Sequence, residues 1–479
     1  MDIGQKSERL LSLIREGKAM TRADKLNLIF QLSVPAILAQ VTNVVMFFID
    51  QAMVGSLGAE ASAAVGIVET TTWLFGSLAS AASMGFSVQV AHFIGANDFV
   101  KARQVVRHAL LVTGGLSLLL MAVAAFISKP LPFWLGGGSD IAGDASNYFL
   151  IFALAAPFFQ LSGLSSSLLK CEGNMRVASM MSVAMCVLDV VFNFLLIFPS
   201  RELRLLGLTI WMPGAGLGVA GAALGTGLSF VVGASLQGWF VFFKSKMLAI
   251  GVFREKFVYV SSYLVNALKI GMPMALQSFL MSSAQIVSTM IVAPLGNIAI
   301  AANTFAITAE SLCYMPGYGI GDAATTLVGQ SMGAGRKDLC RSFARLTVFT
   351  GIAVMAFMGL IMYVFASEMM GLMTPVAEIR ELGAQCLRIE AFAEPMFAAS
   401  IVTYCVCIGA GDTLRPAIMN LASMWLVRLS LAAWLAQSYG LRGVWFAMAI
   451  ELSLRGALFL LRLFRGNWEK GMIKNHDNR

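Results

Sequence analysis

VPAILAQVTNVVMFFIDQAMVGSLGAEASAA, residues Val34 to Ala64, returns in altered form 238 residues on, as MPMALQSFLMSSAQIVSTMIVAPLGNIAIAA from Met272 to Ala302. The register superposes Pro35 on Pro273, Val54 on Val292 and Leu57-Gly58 on Leu295-Gly296. Without a gap it then places Gly95-Ala96 on Gly333-Ala334, Arg103 on Arg341, Arg107 on Arg345, Pro157 on Pro395 and Gly173 on Gly411. The shift is close to half of the 479 residues, so the chain is a duplication and its fold is two copies of one unit.

That unit is built for lipid. The chain is 58% hydrophobic and only 13% charged, with a mean hydropathy of +0.77; a soluble domain carries about a quarter of its residues charged. Apolar runs long enough to cross a bilayer lie near 29–55, 61–90, 105–128, 145–169, 177–199 and 214–243, then 264–294, 299–328, 343–366, 382–408, 416–437 and 443–464. Continuous runs without ten-residue alternation are helices rather than barrel strands. The expected fold class is an all-α polytopic membrane protein, with twelve transmembrane helices as two six-helix bundles related by a parallel internal repeat. An even number of spans per copy makes both copies enter from the same side. The expected parts are an N-terminal arm (1–28), an N-terminal bundle (29–243), a linker (244–263), a C-terminal bundle (264–464) and a tail (465–479).

Lys and Arg concentrate in the arm (Lys6, Arg9, Arg15, Lys18, Arg22, Lys25), in alternate connections such as Lys101, Arg103 and Arg107, and in the tail. The opposite connections hold few, among them Lys129, Arg201, Arg204, Arg380, Arg388 and Arg442. Both termini are therefore expected in the cytoplasm, and the basic loops account for the net charge of +8 without a nucleic-acid partner. The first 28 residues are too polar for a signal peptide. The seven Cys show no CxxC pair with His and read as small core residues, and His92, His108 and His476 fall in or beside loops, which leaves no intramembrane His relay. There is no nucleotide-binding motif, no expected cofactor and no sign of an enzyme or of an obligatory protein partner. Two facing bundles around a cleft make a transporter architecture, in which one bundle rocks against the other; a channel would more usually need a filter loop.

Several stretches resemble the multidrug and toxic compound extrusion (MATE) family, bacterial exporters that exchange organic cations for sodium ions or protons. They are VPAILAQ followed by IDQAMVGSLG in the first span, MIVAPLGNIAIAA in its copy, ESLCYMPGYGIGDAATTLVGQSMGAG from Glu310 to Gly335, and the loops CEGNMR (Cys171 to Arg176) and GAGDTLRP (Gly409 to Pro416). The resemblance covers about residues 29 to 464. It implies a secondary antiporter in the bacterial inner membrane, multidrug efflux of amphipathic organic cations, and Na+ or H+ as the coupling ion. The rival readings are a lipid-linked oligosaccharide flippase of the same superfamily and a non-transporting membrane scaffold. A major facilitator carrier shares the 6+6 plan, but its usual GxxxDRxGRR-like loop is replaced here by GANDFVKARQ.

Asp50 stands inside the first apolar run, where a bare charge costs about 2.5–3.5 kcal/mol or more. At 1.5 Å of rise per residue, Asp50, Asp189, Asn193 and Thr226 all fall in the outer or middle part of the N-terminal bundle and can meet. Asp189 and Asn193 share a helix face. Two carboxylates, an amide carbonyl and a hydroxyl suit Na+, and crowded carboxylates suit a proton. In family members that resemble this chain, an Asp in span 1, an Asn and Asp in span 5 and a Thr in span 6 form the ion site. Asp50 and Thr226 match it, whereas the span 5 order is Asp189 then Asn193, the reverse of the usual one. The bland alternative is that Asp50 only hydrogen-bonds Asn193 to pin helices.

Pro35 is read as a hinge or as a static kink at the helix start. Ser288 replaces Asp50 in the second copy, so the halves differ chemically. Glu310 and Glu394 are candidates for a second proton site or a negative cleft, while Glu451, Arg455 and Arg428 read as an ion-paired brace, with Arg428 taking one of the glutamates. A Glu eight residues after the span 7 Pro, used by some related exporters, is Met281 here. Gly114-Gly115 and Gly225-x-Gly227 read as sites of close helix packing, and the 29 Met and 33 Phe suit an adaptable cleft.

Overall fold

The computed structural model describes residues 3–205, 208–253, 255–466 and 468–469. The first copy contains α1 (Ile3–Arg15), α2 (Arg22–Gly55), α3 (Ala59–Gly95), α4 (Phe99–Ile127), the short α5 (Leu131–Trp134), α6 (Ser139–Glu172), α7 (Met175–Ile197) and α8 (Gly218–Trp239). Strands β1 (Pro199–Leu205) and β2 (Leu208–Ala215) form an antiparallel hairpin between α7 and α8. The second copy contains α9 (Ser261–Val292), α10 (Asn297–Gly333), α11 (Lys337–Val364), α12 (Ala366–Met373), α13 (Ala377–Ala391), α14 (Glu394–Gly409), α15 (Leu414–Ala422), α16 (Leu429–Tyr439) and α17 (Leu441–Arg465). Among the described residues, eleven continuous helical stretches are long and apolar enough to cross a membrane, Leu414–Tyr439 counted as one, and α13 with α14 makes a twelfth, bent by 60°. The expected helical membrane fold is found, with the one β-hairpin added to it.

The repeat survives in backbone detail. Gly58 and Gly296, Asn97 and Gly335, and Gly173 and Gly411 stand one repeat apart and all take positive φ, from +59° at Asn97 to +121° at Gly58. Glycine takes that conformation without a Cβ clash, and Asn is among the residues that tolerate it.

The halves meet by reciprocal contacts. A Cβ on Gly95 would run into Gln330 O, and one on Gly333 would run into His92 O. His92 Nε2 lies 2.7 Å from Gly409 O, and Gln330 Nε2 donates to Cys171 O at 2.8 Å. His92 and Gln330 are repeat mates, as are Cys171 and Gly409, so each half grips the other with the same positions, the signature of a two-fold relation. Other links across the seam are Lys25 Nζ to Ser342 Oγ (2.9 Å), Gln89 Nε2 to Tyr263 O (2.9 Å) and Thr326 Oγ1 to Lys170 O (2.8 Å). All lie towards the end of the molecule that carries the basic loops. The seam is closed at that basic end.

One link breaks the symmetry. Lys170 Nζ pairs with Asp322 Oδ2 at 2.7 Å, with Gln40 Nε2 at 3.4 Å from the same oxygen. Their repeat mates, Ile408 and Met84, pack in one apolar cluster. The same place in the seam is thus greasy on one side and ionic on the other.

Four features depart from the sequence expectations. The span expected at 382–408 is two helices, because Pro395, in the first turn of α14, has no backbone N–H to donate to the carbonyl four residues back and its ring would clash with that carbonyl in a continuous helix. Ser423–Arg428 is a turn of π-helix inside the eleventh span. Pro35 lies well inside α2, which starts at Arg22 behind a Thr21–Asp24 capping box and not near residue 29. A Cβ on Gly114 or Gly115 would meet nothing within 4 Å among the described residues; this part of α4 faces outward, with Leu111, Leu118 and Leu119 exposed, and is no packing seam among them.

The stretch from Met247 to Val260 is stitched to one face of α4. Arg103 pairs with Glu255 and donates to Met247 O at 3.0 Å, Gln104 Nε2 donates to Lys256 O at 2.7 Å, and Arg107 Nη2 donates to Phe253 O at 3.0 Å. His108 accepts Val260 N at 3.0 Å. His108 is therefore buried inside α4 and not beside a loop, while His476 lies outside the described residues. The cysteines are free, and all but Cys405 are fully buried. The amphipathic α1 covers the basic end: Leu10, Leu11 and Ile14 pack with Leu28, Ile29 and Leu32 of α2, Met175 of α7, Leu327 of α10 and Phe343 of α11. Arg336 Nη1 donates to Lys18 O at 2.7 Å and Asn97 Nδ2 to Arg15 O at 3.0 Å, so both halves hold the arm.

Candidate functional site

The candidates from α2, α7 and α8 converge. Asn193 Nδ2 donates to Asp50 Oδ1 at 2.9 Å and to Asp189 Oδ2 at 3.1 Å. The two carboxyls lie within hydrogen-bonding reach of each other, and the Thr226 side chain reaches Asp189. Asp189 and Asn193 are completely buried. Helix periodicity makes this possible: the i, i+4 spacing aims both at α2, and Gly225 lets α8 approach Asn193 closely. Ser229, which the sequence reading missed, donates to Asp189 Oδ1 at 3.2 Å. It stands three residues after Thr226 on the same helix face, and that spacing was the available signal. Asn193 Oδ1 is buried without a hydrogen-bond partner among the described residues.

Glu69 of α3 is a second residue missed, although it stands inside the apolar run 61–90. Gln51 Nε2 and Trp73 Nε1 each lie 3.4 Å from Glu69 Oε1, and the Trp73 ring meets Phe47 edge-on at 5.8 Å.

The second half gathers its acids at the bend between α13 and α14. Glu310 of α10, Glu390 of α13 and Glu394 of α14 are buried and close enough to act on one another's charge. Neither oxygen of Glu390 or of Glu394 has a hydrogen-bond partner among the described residues. Glu390 was also missed, though it lies four residues before Glu394, across the bend. Glu451 accepts from Ser423 and lies 3.1 Å from Arg455 Nε, an ion contact without hydrogen-bond geometry, so that part of the brace forms. Arg428 departs from it. Among the described residues it makes no ion pair with any glutamate and turns to Met448 Sδ, acting on Glu310 and Glu390 only through its field.

Comparisons with known proteins place the fold in a family. A probable multidrug resistance protein NorM of Thermotoga maritima is 25% identical over 452 residues, 94% of each chain. A solved structure of MATE in the straight conformation superposes with a TM-score of 0.86 at 21% identity, covering 96% of this chain and 98% of that one. An outward-facing conformation of a multidrug resistance MATE family transporter of the MOP superfamily gives 0.84 at 21% identity, over 95% and 98% of the two chains. The MatE family model matches residues 35–195 and 273–434, one stretch in each repeat. With two matched repeats and the helical architecture in agreement, the chain belongs to the MatE family and is a MATE transporter.

Proposed function

We propose that the chain is a secondary active antiporter that exports amphipathic organic cations in exchange for sodium ions or protons by alternating access, from the inner membrane with both termini cytoplasmic. The observation that carries this is the contact of Asp50 with Asp189 under one Asn193 amide, in a membrane interior where neither acid meets a cation among the described residues. Two touching carboxylates repel when both are ionised, so the pair calls for a proton or a small cation between them. Sodium suits the donors: two carboxylates, the Thr226 and Ser229 hydroxyls, and Asn193 Oδ1 once the amide turns over. A proton suits the amide as it stands, donating to both acids.

Filling the site removes the repulsion between α2 and α7, and Pro35, which leaves α2 short of one backbone hydrogen bond, is the place for that change to become a bend. The closed basic end then corresponds to a molecule open to the outside. Glu390 and Glu394, without hydrogen-bond partners among the described residues, form with Glu310 a second acidic site in the other half. The multidrug names of the relatives support the cargo class.

The test is ethidium efflux from proteoliposomes under separate sodium and proton gradients, with wild type beside Asp50→Asn. Transport by wild type on one gradient and its loss in the variant identify the ion and the site. Equal transport by both would make Asp50 a packing residue. No dye movement by wild type under either gradient would sink the drug-export reading and send the work to a lipid-flipping assay.

A further inference from the structure

Among the described residues, Glu69 is held in the fold only by two long contacts, from Gln51 and Trp73. It is an intramembrane acid about 15 Å down α3 from its start at Ala59, and no ion pair to it is found among the described residues. Its repeat mate is Ile307, a side chain that is itself 42% exposed, so the architecture tolerates an aliphatic group at this place. Packing does not ask for a carboxylate.

What surrounds it has a common chemistry. Gln51 and Trp73 both reach Oε1 at 3.4 Å, which leaves Oε2 uncommitted. Trp73 follows Glu69 at i+4 on the same face and is 61% exposed, and Phe47 stands against its ring. An exposed amide beside a part-exposed carboxylate would be costly against lipid tails, so a water-filled cleft is the surrounding that this face calls for. An acid with one free oxygen beside an open indole face and a phenyl ring is a receptor for a flat organic cation: the carboxylate answers its charge, and the rings answer its body by stacking and cation–π attraction.

The position also connects to the ion site. Gln51, which touches Glu69, is the next residue after Asp50, which accepts from Asn193. Tyr148 of α6 lies within electrostatic range of Glu69, Asp50 and Asp189 alike.

We propose that Glu69, Trp73 and Phe47 form the cargo site of the N-terminal half, taking aromatic monocations. Through Gln51, a turn of α2 then feels the cargo on one face and the coupling ion on the other. The proposal rests on the antiporter reading for its place in the cycle, but not for the binding itself.

Ethidium binding to the purified full chain in nanodiscs, followed by fluorescence without any gradient, tests it. The expected result is about tenfold weaker binding for Glu69→Gln and for Trp73→Ala, with Glu69→Asp and Trp73→Phe recovering most of the loss. A neutral aromatic dye of similar size should be affected by Trp73→Ala and not by Glu69→Gln. Binding within twofold of wild type in both Glu69→Gln and Trp73→Ala, with an intact size-exclusion profile, would overturn the proposal. Should wild type bind ethidium through these residues and yet fail to exchange it for either ion, the antiporter reading falls while the site stands.

Discussion

Gly225 of α8 sits against Asn193 of α7 with no room between them: a Cβ on Gly225 would run into Asn193 Oδ1 and stand 2.9 Å from Asn193 N. Gly225→Ala must push α8 away or turn the amide that spans Asp50 and Asp189. Gradient-driven dye efflux should fall about tenfold or more, since a shift near 1 Å is enough to spoil such a constellation. Gly227→Ala is the control, because its Cβ would meet only Ala155 Cβ at 3.4 Å; efflux should stay within twofold.

Ser229→Ala removes the hydroxyl that reaches Asp189 at 3.2 Å. The apparent affinity for the coupling ion, read from efflux rate against ion concentration, should drop several-fold, the loss expected for one hydrogen bond to a charged group. The maximal rate should hold.

The pair Lys170 and Asp322 is expected to bias the seam towards closure at the basic end. Lys170→Met should widen the distance distribution between spin labels on the exposed positions Val100 and Lys337, and the double exchange Lys170→Asp with Asp322→Lys should narrow it again. Unchanged distributions would mean that the apolar contacts, including the Met84 and Ile408 counterpart, close the seam alone.

Glu390→Gln should stabilise the protein and impair it together. Both oxygens of Glu390 are buried without hydrogen-bond partners among the described residues, and replacing a buried acid that makes no ion pair by a neutral isostere relieves about 1 kcal/mol or more. A thermal melt should move up by a few degrees while exchange slows.

Arg103→Ala should release the linker from α4. The Arg103 side chain is only 8% exposed and pairs with Glu255; breaking such a pair costs about 3–5 kcal/mol when the partner stays buried and less here, where Glu255 is partly open. Faster protease cleavage between Met247 and Val260 is the readout.

The architecture was legible because the duplication and the span lengths are one-dimensional signals. Asp50, Asp189, Asn193 and Thr226 were legible because helical rise converts position into depth. Ser229 and Glu390 were missed for the opposite reason: each lies three or four residues from one already chosen, and only the fold shows which neighbours face the same way. Glu69 needed no fold to be noticed as an acid in an apolar run, but its meaning depends on Gln51 and Phe47, which come from another helix. The bend at Pro395 and the hairpin at Pro199–Ala215 are tertiary outcomes that hydropathy averages away. The pair Gly114 and Gly115 shows the reverse error, a packing motif at which an added Cβ would meet no neighbour among the described residues.

The helix α1 lies across the seam, held by Arg336 from one half and Asn97 from the other. Under the alternating access proposed above, anything attached to the amino terminus, whether a purification tag, a fluorescent protein or an antibody, hangs on the joint that has to part. A fusion there would act as a brake on the machine and report a defect that the native chain lacks.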